Sequence, residues 1–208
     1  MVYIIFFCFA IPLLLTLPLL EKNSRYLVGF LLLGAVTALS AYEINTIIFA
    51  LSGMEARSFT EVIPPMTEEC VKALPVLLFA LLVDDSRRRV LPVAMAAGVG
   101  FAVLENTVLL VDNLGAVTLA WAVGRGFSAS LMHSLCTMIV GTGITYVKKQ
   151  RKLFYTGTFG LLSIAITLHA MFNLLIQSDY DWIAMLMPLV LYGIIYLGYQ
   201  KKQLKMPF

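Results

Sequence analysis

The sequence predicts an all-α fold, a polytopic transmembrane helical bundle of about seven helices, and three observations carry that prediction. Hydrophobic residues make up 60% of the chain and charged ones 13%, with a mean hydropathy of +0.89, whereas about a quarter of a soluble domain is charged. The 208 residues divide almost completely into apolar runs near the roughly 20 residues that span a hydrocarbon core. The connections between those runs alternate in charge. Lys22 with Arg25, Arg87 to Arg89, Lys148 to Lys152 and the tail Lys201 to Lys205 are basic, and the other connections are acidic or mixed. By the positive-inside rule this places the N-terminus outside and the C-terminus in the cytoplasm.

The elements follow in order. Met1 to Leu20 lacks a basic n-region and a small-residue cleavage site, so it is read as a retained helix bent by Pro12 and Pro18. A short link leads to a second helix over about 26–51, which carries Ser40, Tyr42, Glu43, Asn45 and Thr46. Ser52 to Pro65 reads as a polar loop. The third helix is expected over 66–83, on one reading with Thr67 as N-cap after the double proline, and the fourth over 90–111. Asp112 to Gly115 is a turn. A long fifth helix spans 117–147, the sixth 153–176 and the seventh about 182–199. The whole chain, 1–208, is one integral membrane domain without repeat, low-complexity tract or linker. Cys8, Cys70 and Cys136 are isolated, which excludes a disulfide framework and a CxxC metal pair. No basic stripe interleaved with aromatics points to nucleic acid; the surroundings of this chain are the lipid bilayer.

Charges inside lipid are costly and mark function. Thr67-Glu68-Glu69-Cys70-Val71-Lys72 heads the third apolar run. From a rise of 1.5 Å per residue, Glu68 and Glu69 lie about 6 Å below the outer boundary, His133 about 8 Å, Glu105 about 9 Å and His169 about 10 Å. Four helices thus deliver ionisable groups to one layer, provided those helices are neighbours. Glu43 lies at similar depth, in the cluster or just behind it. Glu68 with Lys72, Phe101 with Glu105 and His169 with Asn173 are i,i+4 pairs on single helix faces. Bland readings stand beside this one. Glu68 and Glu69 can be first-turn carboxylates with Lys72 as a counter-ion snorkelling outward, Arg125 an interfacial anchor, and Asn173 interhelical glue. Glu105 and the chain's two histidines, His133 and His169, resist such readings because they fall within apolar helices at matching depth.

Amide hydrolysis needs a base to activate water, donors for an oxyanion and a proton donor for the leaving amine. Paired glutamates, two imidazoles and a carboxamide supply all three. A metal variant takes His133, His169 and a glutamate, with Glu105 in this layer, as Zn²⁺ ligands and leaves a fourth position for water. No HExxH motif is present.

At these residues the chain resembles the PrsW family of intramembrane proteases, which belongs with the CaaX-processing (Abi) proteases. The resemblance covers a core at about 64–176. It rests on Glu68-Glu69-Cys70-Val71-Lys72 as EExxK, on Phe101 to Asn106 as FxxxEN, and on Arg125, His133 and Gly141. The last motif departs from the pattern: the family often has HGxxD, and His169-Ala170-Met171-Phe172-Asn173 is closer to the HxxxN of the CaaX proteases. The resemblance implies Glu68 as general base, tuned by Glu69 and Lys72. Glu105 stands where the CaaX proteases use a histidine to help hold the water, and Asn106 and Arg125 support it. His169 and Asn173 would bind the oxyanion, and His133 would donate a proton or ligate a metal. It further implies membrane-anchored protein substrates of the anti-sigma-factor kind, cleaved near the outer face of a bacterial or archaeal plasma membrane. Two other classes stay open on the residues alone. One is a non-catalytic scaffold or partner subunit; the other is a proton-coupled transporter, against which the missing internal repeat counts.

Overall fold

The computed structural model describes residues 2–204, with side chains over 2–198; the side chains of the basic tail, Lys201 to Lys205, lie outside the described residues. Seven α-helices and no strand occur among the described residues: α1 (Val2–Thr16), α2 (Lys22–Ser52), α3 (Ala56–Leu82), α4 (Arg87–Asp112), α5 (Leu119–Ile144), α6 (Arg151–Ile176) and α7 (Asp181–Leu204). A 3₁₀ turn at Leu17–Leu19 carries Pro18 and closes α1. Six of the seven are long and apolar enough to cross a membrane; α3, with its carboxylates and Lys72, is the exception. Thr118 caps α5, its hydroxyl accepting from the Trp121 N–H at 3.1 Å. Gly53, at φ 63°, supplies the left-handed residue that ends α2.

Helix α5 is the axis of the bundle, packed against α3, α4, α6 and α7, while α4 joins it to α1, α2 and α3. Small residues make this possible. A Cβ on Gly34 would fall on the Ala97 carbonyl oxygen, and one on Gly100 on that of Leu31, so α2 and α4 touch backbone to backbone. A Cβ on Gly98 would meet the His133 carbonyl oxygen at 2.6 Å, so the same closeness fixes how near α5 brings His133 to α4. The larger apolar core is built on Phe30, Val76, Phe79, Val93, Met132 and Phe172. Helix α1 buries only Ala10 and leaves Ile4, Phe7 and Leu15 exposed, as befits a lipid-facing helix.

Two expectations are corrected. The loop expected over 52–65 is mostly helix, since α3 begins at Ala56 and runs through Pro64 and Pro65. Proline inside a helix deprives the residue four back of its N–H partner, here the carbonyls of Thr60 and Glu61, and in a membrane-type bundle neighbouring side chains tolerate this. Thr67 is therefore no N-cap. Glu55 holds that position, and Glu68 lies twelve residues beyond Ala56, about 18 Å along the axis. Helix α5 also stops three residues earlier than expected, with turns following to Lys149.

Candidate active site

The helices converge on one buried cluster. On α3, Glu69 and Lys72 sit one turn apart, both without side-chain exposure, and the Lys72 ammonium donates to Glu69 Oε1 at 2.6 Å. A second N–H of Lys72 donates to His133 Nδ1 at 2.9 Å, and its Nζ lies 4.5 Å from the centre of the Phe101 ring. All three ammonium directions are thus engaged, and snorkelling is excluded. Lysine only donates, so His133 accepts at Nδ1 and carries its proton at Nε2. That Nε2–H donates to Glu105 Oε2 at 2.7 Å, while Arg125 Nη2 donates to Glu105 Oε1 at 3.2 Å.

On the other side His169 Nδ1 donates to Glu69 Oε1 at 2.9 Å. A carboxylate behind an imidazole fixes its tautomer and turns the second nitrogen outward. That nitrogen, His169 Nε2, holds a lone pair and faces Glu68 Oε2 at 3.7 Å, too far for a hydrogen bond. Glu68 Oε2 is buried without a hydrogen-bond partner, as is Glu69 Oε2. Glu68 is therefore the carboxylate of the three that no lysine or arginine touches, and two acceptor atoms face each other across a gap that a proton donor or a cation would fill. Glu68, His133 and His169 each offer one ligand atom within 4.8 Å of the others. In the expected metal set Glu68 takes the place of Glu105, which stands behind His133 as its hydrogen-bond partner.

A cleft of about 440 Å³ reaches this cluster between α2, α3 and α4. Its walls are apolar, with Ala38, Phe49, Phe59 and Leu104, and Glu68 and Glu105 line it as well. Asn106 and Arg125 line a second, smaller cavity of about 120 Å³ between α4 and α5; there Asn106 Oδ1 and Arg125 Nε lack a hydrogen-bond partner.

Most of the residues singled out in the sequence come together: Glu68, Glu69, Lys72, Glu105, Arg125, His133 and His169. Arg125 is an ion-pair partner rather than an interfacial anchor, and the sequence held the clue. Glu105 and Arg125 stand equally far before and after Gly115 in the turn between α4 and α5, so antiparallel neighbours place them opposite each other. Two residues do not join the cluster. Glu43 is exposed and accepts from the Tyr3 hydroxyl at 2.5 Å. Asn173 offers only its main-chain carbonyl, to Gln177 Nε2 at 3.1 Å, and does not line the cleft. Sequence reasoning gave no site role to Asn45, which lines the cleft with its Oδ1 2.5 Å from Thr67 Oγ1; the adjacency of Thr67 to Glu68 was the available signal.

Fold and site together define a helical membrane protein with a cluster of ionisable groups buried inside its bundle and reached through an apolar cleft. Residues 22–199 match the sequence model of the PrsW family intramembrane metalloproteases. The chain belongs to that family and is an intramembrane protease. Comparisons with curated proteins and with solved structures return no match.

Proposed function

We propose that this protease hydrolyses a peptide bond in the membrane-anchored part of a protein substrate, with Glu68 as the base that activates water. The observation that carries the reading is the Glu68 carboxylate at the cleft, with Oε2 buried, unpartnered and 3.7 Å from His169 Nε2. Water held between these acceptors gives one proton to Glu68 as its oxygen bonds to the carbonyl carbon, and the C=O π pair moves onto the carbonyl oxygen. When that pair returns, the C–N bond breaks and the nitrogen takes the proton from Glu68. Glu69 orients His169, Lys72 fixes Glu69 and the His133 tautomer, and Glu105 and Arg125 hold His133 in place.

A second, metal-dependent reading is favoured by the family's description and by the donor set. Glu68, His133 and His169 would hold the ion; the unpartnered Glu68 Oε2 and the carboxylate behind His169 fit it, and His133, with Glu105 behind its Nε2–H, would ligate through Nδ1 by giving up the bond from Lys72. When bound, Zn²⁺ would supply Lewis acidity and a water that ionises near neutral pH. Glu105, the other carboxylate of the cluster that lines the cleft, would then be the base.

The alternation of basic connections supports an outward-facing cleft mouth, at the α2 to α3 and α4 to α5 connections, and an N-terminus outside. Substrates would be membrane-anchored proteins of the anti-sigma-factor kind in a prokaryotic plasma membrane, as the resemblance implies. Metal content of the detergent-purified protein, wild type beside His133→Ala and His169→Ala, separates the two readings. Near-stoichiometric zinc lost in both variants supports the metal-dependent one. A metal-free preparation that still cleaves a tethered reporter supports Glu68 as base, and a folded protein without metal or cleavage refutes both.

A further inference from the structure

The cluster is rich in acceptors and short of donors, and the reaction needs a donor. As water adds, negative charge grows on the carbonyl oxygen, and preorganised N–H groups aimed there are a large part of catalysis. The three N–H groups of Lys72 face Glu69, His133 and Phe101, the His133 Nε2–H faces Glu105, and the His169 Nδ1–H faces Glu69; Arg125 donates to Glu105, and its unpartnered Nε belongs to a residue that lines the second cavity rather than the cleft. Within the cleft, the hydroxyls of Thr46 and Thr60 donate to the main-chain carbonyls of Tyr42 and Arg57, and the carboxylates only accept. Tyr42 is half-exposed at the rim. Tyr42 and Asn45 carry the remaining side-chain donors of the cleft wall, and the Asn45 carboxamide is the one bonded to the residue beside Glu68.

Its orientation is set. The 2.5 Å separation from Thr67 Oγ1 to Asn45 Oδ1 lies in the range of O–H···O bonds and below that of N–H···O bonds. The Thr67 hydroxyl also lies 3.1 Å from the Pro64 carbonyl oxygen, and its shorter contact is the one to the amide oxygen, which leaves the Asn45 NH₂ for the cleft. Thr67 precedes Glu68 on α3, so this bond ties the orientation of Asn45 to the element that carries the base.

We infer that Asn45 is a catalytic residue of this protease, its Nδ2–H donating to the carbonyl oxygen of the bond being cleaved, and that Thr67 is its positioning residue. The role expected of Asn173 passes to Asn45. As the water oxygen bonds to the carbonyl carbon and the π pair shifts to oxygen, the Asn45 N–H meets that charge; as the C–N bond breaks, the charge and the hydrogen bond weaken together. This inference rests on the proposed hydrolysis.

The test uses full-length protein in proteoliposomes and a panel of single-span reporter proteins whose segment at the bilayer edge is varied, taking the reporter that the wild type cleaves fastest. Asn45→Leu, which keeps the volume and removes the donor, should lower kcat about 100-fold with KM changed less than about threefold. Asn45→Asp, which keeps size and polarity but replaces the donor with an acceptor, should do the same and serves if the leucine variant does not fold. Thr67→Val should lower kcat about 10-fold, and adding it to Asn45→Leu should cause no further loss. Asn173→Ala should stay within about threefold of wild type. A kcat for both Asn45 variants within about threefold of wild type overturns the assignment, as does a loss confined to KM or a larger loss in Asn173→Ala. Wild-type protein that cleaves no reporter, indistinguishable from Glu68→Gln, overturns the proposed hydrolysis and this assignment with it; an active wild type with unaffected Asn45 variants overturns the assignment alone.

Discussion

Replacing Lys72 with methionine tests the core of the cluster. Methionine nearly matches the length and volume of lysine, so packing is kept while one charge and three donor directions are removed. What remains is a Glu69 carboxylate with no side-chain exposure, deprived of the 2.6 Å bond to Oε1, and a His133 whose tautomer is no longer set from Nδ1. Breaking a buried ion pair from one side costs about 3 to 5 kcal/mol in soluble proteins. Polar groups of membrane bundles find substitute partners when unfolded, which lowers such values, so the expected loss is about 3 kcal/mol. The assay is unfolding in mixed micelles titrated with SDS, following helicity. The double variant Lys72→Met/Glu69→Gln should recover at least about half of the loss, because both partners are then neutral. A Lys72→Met variant within about 1 kcal/mol of wild type, or a double variant less stable than the single, would refute the reasoning.

Other expectations follow from the packing and from the residues left outside the site. Gly100→Val would place side-chain atoms on the Leu31 carbonyl, so α2 and α4 must part; the expected loss is about 1 to 3 kcal/mol in the same titration, with cleavage impaired because α2 and α4 both wall the cleft. Glu43→Gln removes a charge whose partner is Tyr3 at the exposed edge. It should change stability by less than about 1 kcal/mol and leave the cleavage rate of a tethered reporter within about twofold of wild type.

Much of the fold was legible because lipid imposes a simple rule: apolar runs of a given length, broken by charge, become helices. Where that rule weakens, the reading slipped. The segment from Ser52 to Pro65 is polar and ends in two prolines, which in water would break a helix; within the bundle, packing of Phe59 and Pro65 outweighs those lost hydrogen bonds. Glu68, Glu69 and Lys72 announced themselves as charges in an apolar setting, yet Lys72 looked free to reach water, since its contact with His133 spans 61 residues of sequence. Local spacing cannot report such a contact. The pairing of His169 with Asn173 at i,i+4 described one helix face, yet Asn173 does not line the cleft, and the carboxamide that does belongs to Asn45 on α2, bonded to Thr67. Side chains on one helix share a face by geometry; which neighbouring helix supplies a missing donor is decided by packing.

The most direct test is the rate at which wild type and Glu68→Gln, matched for stability, cleave the same membrane-tethered reporter in proteoliposomes. Glu68 Oε2 has no hydrogen-bond partner within the protein, so the substitution should leave the fold intact and remove the base or the metal ligand. The account predicts cleavage by wild type and a rate at least about 100-fold lower for Glu68→Gln. Equal rates in the two proteins would contradict it.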